Sequence, residues 1–68
     1  MGLDKPQLFK GMIIGIEEMG AKLIKYDLLD LFFEVKIGSQ IDDQERLKRS
    51  KDAFLKTFGL GMKIKRVK

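Results

Sequence analysis

The chain has 68 residues, a formal net charge of +4 at neutral pH, and neither cysteine nor histidine. This length allows one small domain with a thin core. The missing residue types exclude a disulfide framework, a thiolate metal site and a histidine base. The longest apolar runs fall far short of the roughly 20 residues of a membrane-spanning helix. We therefore expect a cytoplasmic protein without a membrane segment, a metal or a cofactor.

The segment GMIIGIEEMGAKLIKY has two interpretations. As part of a helix over 4–19 it has one apolar face, but Gly11 and Gly15 would each cost about 1 kcal/mol relative to alanine. As a β-hairpin it alternates apolar side chains, and Gly20 can adopt the positive φ of a turn. Its isoleucines are β-branched and favour strands. We therefore predict a hairpin, while a helix here would indicate an all-α bundle.

A third strand follows the hairpin. Asp27 and Asp30 predict a turn. Residues 31–37 then alternate apolar and polar side chains as far as Gly38, which predicts a strand with one apolar face. A helix over 27–37 is the alternative interpretation, and it would be apolar on nearly every side.

The segment 39–58 shows the clearest helix pattern, with a partial apolar stripe and many charged residues outside it. Ser39 or Asp42 can cap its start, and Gly59 supplies a stop. The residues that follow alternate again and predict a final strand over 61–68. This strand is rich in lysine and arginine, which indicates either a local surface for anions or a solubilising charged terminus.

The predicted hairpin resembles the first hairpin of the S-one RNA-binding domain, an OB-fold family. The matching positions are Gly11, Ile14, Ile16, Gly20, Ala21 and Leu23. LFFEVKIGS is similar to the third strand of that family, and GLGMKIKRVK is similar to the fourth. The resemblance implies a mainly β, α+β fold with one helix, arranged in the order β-β-β-α-β as a small OB-like barrel or open barrel.

The predicted domain spans the whole chain, residues 1–68. An N-terminal arm or short helical turn occupies 1–9, three strands occupy 10–37, the helix occupies 40–58 and the last strand occupies 61–68.

Three positions depart from the family pattern or bear on it. Lys22 stands where the family has an aromatic residue, and Glu34 stands where it has a histidine, whereas Phe32 keeps the expected aromatic ring. The family also needs a fifth strand, and the fourth predicted strand ends at Lys68. The barrel then stays open, or a partner or second copy supplies the strand, or the chain belongs to a longer protein. An open edge invites pairing, which suggests a homodimer.

The predicted nucleic-acid contacts are basic side chains that neutralise phosphates and aromatic rings that stack on bases. They are Lys22, Tyr26, Phe32, Lys36, Lys63, Lys65, Arg66 and Lys68. Strict alternation places Lys25 on the other face, with Ala21 and Leu23. A second basic patch comprises Arg46, Lys48, Arg49 and Lys51, although such a run is most often the solvated side of a helix.

No catalytic constellation is apparent, because the few hydroxyl side chains have no histidine to activate them. We therefore predict a non-enzymatic module that binds single-stranded nucleic acid, with RNA favoured. The alternative is a protein-interaction, regulatory or inhibitor module that uses an open sheet edge and the basic helix, as a homodimer or with a protein partner.

Overall fold

In the computed structural model, two helices cover one face of a three-stranded open sheet. The structure describes residues 4–68, and the first three residues of the predicted arm lie outside the described residues. The elements are α1 (Lys5–Glu18), β1 (Ala21–Asp27), β2 (Asp30–Lys36), α2 (Gln44–Phe58) and β3 (Gly61–Val67). The central strand, β2, pairs antiparallel with β1 and parallel with β3. The parallel pair is joined by a crossover through α2, as such pairs require.

The prediction of a small α+β fold is confirmed, but its details need correction. The element order is α-β-β-α-β instead of β-β-β-α-β, because the first predicted strand lies within α1. The fold thus has two helices among the described residues, not one. Those residues form an open mixed sheet, so the OB-like barrel that the resemblance implied is not what they build.

The helix α1 begins with strong local signals. Asp4 is its N-cap, and its side chain accepts a hydrogen bond from the Gln7 backbone N–H at 3.1 Å. Pro6 lies in the first turn, where its missing N–H costs nothing. Farther along, Ile13 and Ile16 are buried in the core. The hairpin prediction rested on alternation and β-branching, but Ile13 and Ile16 are three residues apart and therefore share one face of a helix.

The glycines that argued against a helix are tolerated in α1. A Cβ added at Gly11 or Gly15 would meet nothing within 4 Å, so neither glycine is required for close packing. Each costs the helix about 1 kcal/mol in propensity. Burial of Ile13 and Ile16 contributes about 1.5–3 kcal/mol each and outweighs that cost.

Gly20 ends the connection from α1 to β1, with a φ of +111°. A Cβ at this position would collide with the Cβ of Ser39. The sequence therefore identified a real demand for glycine, although the element before it is a helix and not a strand.

The turn predicted at Asp27 and Asp30 is confirmed as the β1–β2 hairpin. Its tip is formed by Leu28 and Leu29, and Leu28 adopts a φ of 51°, in the left-handed region. Both leucines are exposed. The strand predicted over 31–37 is also confirmed.

The core lies between β2 and the two helices. Its buried residues form one cluster: Ile13, Ile16, Leu31, Phe33, Val35, Ile41, Phe54, Leu60 and Met62. The residues that β2 contributes to it alternate along the strand, which places the intervening side chains on the opposite face of the sheet.

The helix α2 ends at Phe58, as predicted, but it begins at Gln44, several residues later than predicted, and it uses a different cap. Asp43 is the N-cap, and its carboxylate accepts from the backbone N–H groups of Glu45 at 2.9 Å and Arg46 at 3.2 Å. The predicted caps, Ser39 and Asp42, lie before this position. Gly59 ends the helix with a φ of 68°, as predicted.

Candidate functional site

No described element covers the face of the sheet opposite the helices, and we call this face the bare face. Residues paired in register across neighbouring strands point to the same side of a sheet. Every second residue of β2 is buried against the helices, so the residues between them, and their partners on β1 and β3, lie on the bare face. They are Lys22, Lys25 and Asp27 of β1, Asp30, Phe32, Glu34 and Lys36 of β2, and Lys63, Lys65 and Val67 of β3. Ile24 has no paired partner, but it lines a hollow on the same face with Phe32.

A β-bulge in β1 changes which side chains reach this face. The register shifts between Leu23 and Lys25, so Ile24 is the extra residue. Lys25 then pairs with Phe32 and lies on the bare face, and Tyr26 pairs with the buried Leu31 and lies on the helix side. The strict alternation expected from the sequence is wrong at these positions.

The first row of the bare face places an aromatic ring between two cations. Lys25 of β1 and Lys63 of β3 flank Phe32 of β2 in register. The Nζ atom of Lys25 lies 5.7 Å from the centroid of the Phe32 ring, within the range of a cation–π contact. The same Nζ atom is 3.5 Å from Asp27 Oδ2. Phe32 is half-buried, and it lines a shallow hollow together with Ile24 and the lysines of β3.

The second row repeats the pattern with a carboxylate at its centre. Glu34 of β2 is flanked in register by Lys22 of β1 and Lys65 of β3. The next outward-facing residue of β2 is Lys36. At the opposite end, beside the hairpin, the bare face carries Asp27 and Asp30. The face is therefore basic over most of its length and acidic at the hairpin end.

The structure brings five of the predicted contact residues together on the bare face: Lys22, Phe32, Lys36, Lys63 and Lys65. Lys68 follows β3 and is exposed at the basic end of the sheet. Lys25 was not among the predicted contacts, because no residue near it in the sequence indicates the bulge that places it on this face.

Tyr26 and Arg66 do not lie on the bare face, which corrects their assignment. The Tyr26 ring packs against Phe9 of α1, with 5.8 Å between centroids, in a cleft at the hairpin end. Arg66 pairs with the buried Val35 and therefore points to the helix side. Its Nη2 atom lies 2.9 Å from Asp42 Oδ2.

Asp42 ties β3 to the loop before α2. Its carboxylate accepts from the Arg66 guanidinium and from the Gly38 backbone N–H, each at 2.9 Å. These two donors, the guanidinium first, hold the pKa of Asp42 below its ordinary value. The role predicted for Asp42 as a helix cap is replaced by this cross-link.

We expect this cross-link to make folding sensitive to acid. A carboxyl with a lowered folded-state pKa contributes stability above its unfolded pKa, near 3.9, and loses it as the pH falls through the folded value. The urea midpoint, measured from pH 6 down to pH 3, should fall more steeply for the parent chain than for Asp42→Asn. Asp52→Asn removes an exposed carboxylate of α2 and serves as the control. Identical pH profiles for the parent chain and Asp42→Asn would contradict this role.

The second basic patch lies away from the bare face. Arg46, Lys48, Arg49 and Lys51 are exposed on α2, which covers the opposite side of the sheet. Arg46 Nη1 lies 3.7 Å from the Met19 sulfur, so it lies over the end of α1. The second basic patch and the bare face are therefore on opposite sides of the domain, and they do not form one continuous surface.

Residues 4–68 contain no group of three or more histidine, cysteine, aspartate or glutamate side chains that could hold a metal ion. Neither of the helices described is long and apolar enough to cross a membrane.

No protein-family model, curated protein or solved structure matches the chain. Its function is therefore inferred from the geometry and charge of the bare face.

Proposed function

We propose that the chain is a non-catalytic module that binds single-stranded nucleic acid, RNA in the first instance, on the bare face of its sheet. The observation that carries this proposal is the row Lys25–Phe32–Lys63, in which two cations flank a partly exposed aromatic ring. A nucleotide presents the matching chemistry, because it joins a flat base to an anionic phosphate. The lack of any histidine or cysteine in the chain supports a role without catalysis.

Charge on the bare face supports contact with the phosphate backbone. The exposed lysines lie on all three strands: Lys22, Lys25, Lys36, Lys63 and Lys65. Neighbouring strands are about 4.8 Å apart, so these lysines form a continuous basic surface around Phe32. Such a surface binds nucleic acid largely by releasing counterions, without regard to sequence.

The single ring favours an unpaired strand over a duplex. Only an unpaired base can place its flat side on Phe32, and stacking of this kind contributes about 1–3 kcal/mol per base. With one ring on the bare face, most of the affinity must come from the lysines. Binding should therefore be modest and strongly dependent on salt.

The test is a titration of a fluorescently labelled eight-nucleotide single-stranded RNA at several salt concentrations. If about five phosphates are neutralised, the logarithm of the affinity should fall with a slope of about −3.5 against the logarithm of salt, or roughly 100-fold between 50 and 200 mM. A duplex of the same sequence is the control and should bind more weakly per strand. Affinity that is unchanged across this salt range, or no binding at 50 mM, would refute the proposal.

The sheet edges argue for this function over strand pairing with a protein partner. The bulge at Ile24 distorts the outer strand β1, and Lys63 and Lys65 stand on the outer strand β3. Bulges and lysines on edge strands oppose pairing with another strand. We therefore favour nucleic acid over a homodimer joined through a sheet edge.

A further inference from the structure

Glu34 is the only carboxylate among the lysine rows of the bare face, away from the acidic hairpin end. It lies on the central strand in register with Lys22 and Lys65. The ion pairs within 4 Å among residues 4–68 are Lys25–Asp27 and Arg66–Asp42, and neither involves Glu34. A carboxylate at the centre of a phosphate-binding surface repels phosphate, so it needs a different partner on the ligand.

The position of Glu34 relative to Phe32 indicates what that partner is. The two residues are separated by one position on β2 and point to the same side, so their Cα atoms are about 6.6 Å apart. A base stacked on Phe32 can therefore present its edge to the Glu34 carboxylate. An ionised carboxylate only accepts hydrogen bonds. It can pair with an exocyclic amino group, as glutamate does with N4 of cytosine.

We propose that Glu34 determines base specificity, and that it favours cytosine over uracil at the base stacked on Phe32. This inference rests on the proposed function. The two pyrimidines have the same ring size and differ at position 4, where cytosine carries a donor and uracil an acceptor. Uracil would place a carbonyl oxygen against the carboxylate, and neither group could donate. The flanking Lys22 and Lys65 remain free to hold the phosphates on either side.

The experiment compares eight-nucleotide oligo-C and oligo-U RNAs with the same label, titrated at 50 mM salt. The parent chain should bind oligo-C about 10-fold more tightly, in keeping with the discrimination of one well-placed contact. In Glu34→Gln the carboxamide both donates and accepts, so the preference should fall to within about 2-fold. Binding of both RNAs should also strengthen, since one repulsive charge is removed.

Two control variants separate specificity from charge. Glu18→Gln makes the same change in charge at the exposed end of α1, and it should keep the preference for oligo-C. Asp30→Asn removes the carboxylate on the other side of Phe32 along β2, and it should keep the preference as well. Loss of the preference in Asp30→Asn but not in Glu34→Gln would overturn the assignment.

The outcomes also separate this inference from the proposed function. If the parent chain binds both RNAs equally, the specificity inference is overturned and the proposed function stands. If neither RNA binds at 50 mM salt, both are overturned. An unchanged preference in Glu34→Gln, with binding that shows the variant to be folded, overturns the role of Glu34 alone.

Discussion

Replacing Lys63 and Lys65 together by glutamate should reduce binding of single-stranded RNA by at least about 100-fold at 50 mM salt. Both side chains are exposed on β3 and point to the bare face, one beside Phe32 and the other beside Glu34. The double variant removes two phosphate contacts and places two anions on the path of the backbone. The slope of the logarithm of affinity against the logarithm of salt should be shallower by about 1.4, because each phosphate contact on a single strand contributes about 0.7.

The matched control is Lys48→Glu with Lys51→Glu, which makes the same change in net charge on α2. These lysines are exposed on the side of the domain that faces away from the bare face. At 50 mM salt the Debye length is about 14 Å, so charges on the far side of the domain act only weakly on a ligand on the sheet. We expect a loss of at most a few-fold. Equal losses in both double variants would mean that binding depends on total charge and not on the bare face.

The strands and α2 were predictable because their signals are local. Leu31, Phe33 and Val35 alternate without interruption, and a strand with one buried face is what that pattern specifies. The end of α2 at Gly59 is equally local, since the helix closes with a left-handed residue that glycine adopts at little cost.

The first element was not predictable in this way, because tertiary packing decides it. Gly11 and Gly15 weaken a helix, and the neighbouring isoleucines favour a strand, so local preference points away from the observed state. Burial of Ile13 and Ile16 against the sheet and α2 reverses that preference. The same limit applies to the bulge at Ile24, which repositions Lys25 and Tyr26 without any Gly or Pro to mark it.

The correction at α1 also determines which face of the sheet is left uncovered. A hairpin in its place would have extended the sheet toward a barrel. As a helix, α1 covers the same face as α2, and it leaves the other face of all three strands accessible. The lysines that the sequence placed on separate strands are thereby brought around Phe32. Five of the predicted contact residues lie together on this face, whereas Tyr26 and Arg66 lie on the covered side.

Phe54→Ala should destabilise the fold by about 3–5 kcal/mol, the usual cost of removing a fully buried phenylalanine side chain. Phe54 of α2 has no exposed surface, and its ring centroid lies 6.2 Å from those of Phe9 and Phe58 and 6.3 Å from that of Phe33. It therefore joins both helices to β2. A domain of this length has a stability of roughly 3–10 kcal/mol, so this one change removes a large part of it.

Urea unfolding followed by circular dichroism measures this loss, with Leu55→Ala as the control. Leu55 is the next residue of α2 and is 59% exposed, so its truncation should cost less than about 1 kcal/mol. An unfolding midpoint for Phe54→Ala within error of the Leu55→Ala value would contradict the position of Phe54 in the core.

Because Phe33 lies between Phe32 and Glu34 on β2, loosening the core beneath it in Phe54→Ala should also weaken RNA binding on the bare face. Phe54→Leu keeps an apolar side chain in the same position and should regain part of the lost stability. Its RNA binding should recover in proportion to that regained stability.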